Sequence, residues 1–171
     1  LPTGHAVDRV AGHDVTLVAG AQGYTGPLPT RIQGVPVKLF PVQRVLPKAG
    51  FAGLTSVGLL AWLRKQLPTV DALHVHLARD LVTLPAAGLA LAAKVPLFAQ
   101  THGMIDPSDN PLAKPLDAAL TRRVLRAAKR VFFLTDAEAE GLEAVEPTAK
   151  LERLRNGLDA RTDVSPRVAD H

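Results

Sequence analysis

The chain has 171 residues, 47% of them hydrophobic and 21% charged, proportions that exclude a disordered or fibrous protein and suit one globular domain. It has no cysteine, which excludes disulfides, thiol nucleophiles and thiolate metal sites, and its apolar stretches break before the roughly 18 residues a membrane span requires; a cytoplasmic location is the expectation. The net charge of +4 would attract phosphates or an anionic surface, but aromatic residues make up only 4% and none interleave the basic ones, which argues against nucleic acid as a partner.

In chain order, short apolar runs alternate with stretches of helical period, the pattern of strand and helix units that build a parallel sheet. The start is unusual. A doubly wound sheet opens with a central strand and a phosphate-facing loop, whereas here a short helical stretch leads directly to Gly12-His13-Asp14; the first strand is expected upstream of Leu1. Strands are then predicted at 14–18 and 35–39, with a turn-rich loop at 19–34 between them. A helix at 52–66 stops before Pro68, and a strand at 72–76 follows. The next helix, 84–94, has Asp80 or Thr83 as a cap and leads to a strand at 96–101. A loop at 103–115 precedes a helix at 112–128 and a strand at 130–135. Thr135 and Glu138 have capping-box spacing for a helix at 136–144, and a last strand is read at 150–154. These elements predict an α/β, Rossmann-like, doubly wound and mainly parallel sheet with helices on both faces.

Chemistry concentrates at strand ends. His74 and His76 are two apart on a strand and share a face near its carboxyl end, where open α/β sheets place ligands. His102 also follows a strand, and Gly103 lets a substrate approach the backbone. Two histidines at this spacing could be half of a metal site, but no third ligand is evident and there is no cysteine, so no metal is expected. Between residues 116 and 130, Arg122, Arg123, Arg126, Lys129 and Arg130 fall on one side of a helical wheel and Leu116, Leu120, Val124, Leu125 and Ala128 on the other. That face either contacts anionic membrane, as a peripheral attachment, or is the solvated side of a helix whose apolar side packs on the sheet; the need for that packing favours the second.

Four stretches, in order, resemble the family 4 glycosyltransferases: Gly12-His13-Asp14-Val15; Asp71-Ala72-Leu73-His74-Val75-His76, continuing through Arg79-Asp80 to Leu84-Pro85-Ala86-Ala87; Gln100-Thr101-His102-Gly103-Met104-Ile105-Asp106-Pro107; and Lys129 to Thr135 with Glu138-Ala139-Glu140, closed by Asn156-Gly157-Leu158-Asp159. The resemblance implies the N-terminal, acceptor-side half of a two-domain GT-B enzyme, spanning residues 1–159, with 160–171 a linker toward a donor-binding domain. It implies transfer of a sugar from a nucleotide-diphosphate donor to a hydroxyl of a sugar, small-molecule or lipid-linked acceptor, with retention at the anomeric carbon. No metal or other cofactor is implied.

By the same resemblance His102 lies beside the transferred sugar as the catalytic residue, hydrogen-bonding a hydroxyl or the developing charge. Gly103, His76, Arg79, Tyr24 and Lys114 are the substrate-binding candidates, with Arg31 a further one. The fragment alone is expected to be inactive. Two other classes stand beside this reading: a non-catalytic Rossmann-like module for a phosphorylated sugar or protein partner, favoured by the lack of a donor-binding half, and a nucleic-acid-binding domain, supported only by the charge.

Overall fold

The computed structural model describes residues 12–32, 35–47, 49–105 and 120–154. The chain forms β1 (Leu17–Ala21), β2 (Arg31–Ile32), β3 (Val35–Pro41), β4 (Gln43–Arg44), β5 (Leu54–Thr55), α1 (Val57–Gln66), β6 (Leu73–His76), α2 (Thr83–Ala92), β7 (Leu97–Gln100), α3 (Arg122–Ala127), β8 (Arg130–Phe133), α4 (Asp136–Val145) and β9 (Leu151–Arg153). Strands β6, β7, β8 and β9 pair in that order, all parallel. A second sheet pairs β1 with β3 in parallel and β2 with β3 antiparallel, and β4 and β5 form a two-stranded antiparallel ribbon. This is the α/β, Rossmann-like architecture expected: a parallel sheet flanked by helices.

Strand alternation divides the four-stranded sheet into two chemically different faces. Leu73, Val75, Leu97, Ala99, Val131, Phe133 and Leu151 point into one hydrophobic core with Leu63 of α1, Leu84, Ala87 and Ala90 of α2, Val124 and Leu125 of α3, and Leu142 and Val145 of α4. Burying each large aliphatic side chain there contributes about 2 kcal/mol. The alternate residues, which include His74, His76, Phe98 and Phe132, lie on the opposite face.

Helix α2 carries the sheet through a run of alanines that lets it lie close, and Pro85 sits in its first turn, where a missing N–H is tolerated. Its end is a Schellman turn: Val95 N–H donates to Ala90 O (2.9 Å) and Lys94 N–H to Leu91 O (3.1 Å), with Lys94 at φ 60 where glycine is usual.

Several boundaries differ from the sequence reading. The first strand lies at Leu17–Ala21 rather than 14–18, because the register with β3 pairs Leu17 with Val37 and Ala21 with Pro41. The helix read from residue 52 starts at Val57. Gly50–Gly53 instead makes a 3-10 turn, and Leu54–Thr55 pairs with β4. Gly53 is needed there, since a Cβ would run into the carbonyl oxygen of Leu46. Arg31–Ile32 is a strand inside the segment read as loop. Of the helix read at 112–128, residues 112–119 lie outside the described residues. In the described part Val124, Leu125 and Ala128 are wholly buried in the core, while Arg126 and Arg130 pair with Glu146 and Glu152, each at 2.8 Å. The apolar side is thus occupied by packing.

Candidate functional site

The carboxyl ends of β6 and β7 lie side by side, with His76 opposite Gln100 and the Leu77 N–H donating to the Gln100 carbonyl at 2.7 Å. The chain leaving β7 turns sharply at His102 (φ 49) and Gly103 (φ 71), both left-handed, and Met104 N–H closes the turn on Thr101 O at 2.9 Å. A left-handed backbone is disfavoured for a residue with a Cβ, so other contacts hold His102 in place.

That turn brings three imidazoles into a stack. His102 lies against His76 (centroids 5.0 Å, planes 14° apart) and His76 against His74 (5.3 Å, 13°), while Phe132 of β8 tilts against His74 at 5.7 Å. His76 Nδ1 and His102 Nε2 are 2.7 Å apart, a hydrogen bond in which one nitrogen donates and the other accepts. At least one of the two is therefore unprotonated at this edge, and the pair carries at most one positive charge while the bond persists. Burial first, and then the charge of His102, lowers the His76 pKa; burial, then His76 and His102, lowers that of His74. All three side chains remain open to solvent.

Glu138, in the first turn of α4, supports the turn from below. Its Oε1 accepts from Thr101 Oγ1 (2.6 Å) and Gly103 N–H (2.7 Å), and its Oε2 accepts from Leu134 N–H (2.8 Å). Burial raises the carboxyl pKa, but the hydrogen bonds of Thr101, Leu134 and Gly103 and the charge of His102 together lower it, so the group is an anion. Beyond β6, the buried Asp80 caps α2: its Oδ1 accepts from Val82 N–H (2.8 Å) and Thr83 N–H (2.5 Å), while Oδ2 has no hydrogen-bond partner. Among the described residues no group of three His, Asp or Glu side chains is placed to hold a metal ion.

The fold and this edge agree with what the whole sequence matches: the family model for the glycosyl transferase 4-like domain covers residues 9–157, most of the chain. The chain belongs to the glycosyl transferase 4-like domain family. No curated protein and no solved structure matches it. Of the candidates read from sequence, this glycosyltransferase-family domain brings His76, His102 and Gly103 together. Arg79 lies in the loop that leaves the same end of β6. Tyr24 is 53% exposed in the segment after β1, and no hydrogen bond or ring contact joins it to the imidazoles. Arg31 begins β2, and Lys114 lies outside the described residues. Sequence reasoning missed Glu138 as part of the site. The capping-box spacing that marked it was the available signal, since α4 follows β8, the strand next to β7.

Proposed function

We propose that this domain is the acceptor-side half of a retaining glycosyltransferase of the hexosyltransferase class, which moves a sugar from a nucleotide-diphosphate donor to an acceptor hydroxyl. The observation that carries the reading is the paired His76 and His102 at the carboxyl edge of a parallel sheet, where α/β folds bind ligands. His102, on a sharp turn, presents its ring to the space above the strands and hydrogen-bonds a sugar hydroxyl or the charge developing on the leaving group. Its engagement with His76 fixes its orientation, so its contribution is positioning and electrostatic stabilisation rather than nucleophilic attack. A second domain holds most of the donor, and Arg79 contributes a cation beside the first.

The test is a titration of the chain with a panel of acceptor sugars and of nucleotide-diphosphate sugars, followed through the histidine ring signals by NMR. Saturable shifts at His102 and His76, with the exposed His13 unmoved as an internal control, are expected. A panel that leaves both rings in place, or moves His13 equally, overturns the reading.

A further inference from the structure

Glu138 is 8% exposed and yet its carboxylate makes contacts that its own helix does not need. Helix α4 is already capped by Thr135, whose Oγ1 accepts from Glu138 N–H at 3.2 Å. In a simple capping box the carboxylate would return to the N–H of the capping residue. Here one oxygen reaches Leu134 N–H, just before the cap, and the other crosses to Thr101 and Gly103 beyond the end of the neighbouring strand. A single anion thereby joins three segments: the end of β7, the left-handed turn, and the junction of β8 with α4. The residue between its two partners at 101 and 103 is His102. Holding the Thr101 hydroxyl on one side of that residue and the Gly103 amide on the other fixes its backbone at a conformation it would otherwise leave.

We infer that Glu138 is a positioning residue of the sugar-transfer site, holding the imidazole of His102 against His76 through hydrogen bonds to Thr101 and Gly103. The inference rests on the reading of His102 as the sugar-facing residue, but the geometry it asserts is independent of any sugar. The carboxylate is buried while the ring of His102 is open to solvent, so it orients that ring without competing for substrate. Its ionised state, favoured by the donors around it, is the state that accepts all three hydrogen bonds.

Two changes to the same helix end separate positioning from mere support of α4. Glu138→Gln removes the charge and forces one amide oxygen to serve where two carboxylate oxygens did. Thr135→Ala removes the helix cap and touches neither Thr101 nor Gly103. The amide signal of Gly103 and the ring nitrogen signals of His76 and His102 are recorded by NMR on the 171-residue chain, alongside thermal unfolding. Glu138→Gln is expected to shift all three signals, and Thr135→Ala to lower the Tm while leaving them at their wild-type positions. The proposal is overturned if Glu138→Gln leaves the ring signals in place, or if Thr135→Ala moves them as far. Because no ligand is added, a failed sugar titration with shifted ring signals counts against the transferase reading and not against the role of Glu138.

Discussion

His76 Nδ1 and His102 Nε2, 26 positions apart in sequence, meet at 2.7 Å across the ends of adjacent parallel strands. Two protonated rings cannot share that contact, because each nitrogen would then point a hydrogen at the other. The folded chain therefore resists full protonation of the cluster, in line with the lowered pKa of His74 and His76.

The first expectation concerns pH. An unfolded histidine titrates near 6.5, while His74 and His76 titrate lower in the folded chain. Below 6.5 the unfolded state then binds more protons than the folded one, so the cluster's contribution is present above that pH and is lost as pH falls toward the folded values. The Tm of the wild-type chain should fall between about pH 7.5 and 5.5, and His74→Phe, which keeps an aromatic ring against Phe132, should flatten the slope. An unchanged slope in the variant would show that the stack does not couple protonation to folding.

A second window lies in acid. Glu146 is held down to about 2, first by the hydrogen bond from Arg126 and then by Thr148, from an ordinary 4.5. For a depressed carboxyl, the stabilisation is present above the unfolded value and disappears as pH drops through the folded one. Acid unfolding followed by circular dichroism should therefore begin at higher pH in Arg126→Ala than in the wild type, while the two chains approach each other near pH 2.

Two left-handed positions give opposite signs for glycine. Gly103 (φ 71) has open space where a side-chain methyl would sit, so Gly103→Ala is opposed only by its backbone and should lose about 1–2 kcal/mol in urea unfolding. Lys94 (φ 60) already bears that strain at the end of α2. Lys94→Gly should gain up to about 1 kcal/mol, and a loss would show that the lysine side chain stabilises this turn in another way.

In the core, Leu84 of α2 is fully buried, and Leu84→Ala should reduce stability by about 2–5 kcal/mol. Phe51, 66% exposed, is the comparison: Phe51→Ser should stay within about 0.5 kcal/mol of wild type.

Much of this arrangement was legible in the residues themselves. The strands at His74 to His76, Phe98 to Gln100 and Val131 to Phe133 are short apolar or β-favouring runs, and α4 announces itself by Thr135 and Glu138. Asp80, read as a cap, is one. The two-residue strands β2, β4 and β5 could not be seen, because they carry no period and exist only through their partners. The same holds for the site. Placing His76 and His102 at strand ends follows from local pattern, but the reach of Glu138 back to Gly103 spans 35 positions and depends on which strand lies next to which. Phe132 against His74 is equally non-local, since β7 lies between their strands.

The hydrogen-bond donors of the tight bend after β7 have a bearing on ligand chemistry. Gly103 N–H is taken by Glu138, and Met104 N–H by Thr101 O. Neither amide is vacant at that corner, and an internal anion stands behind one of them. A ligand oxygen reaching either amide would have to displace the partner it already has, so new hydrogen bonds at this corner are left to side chains.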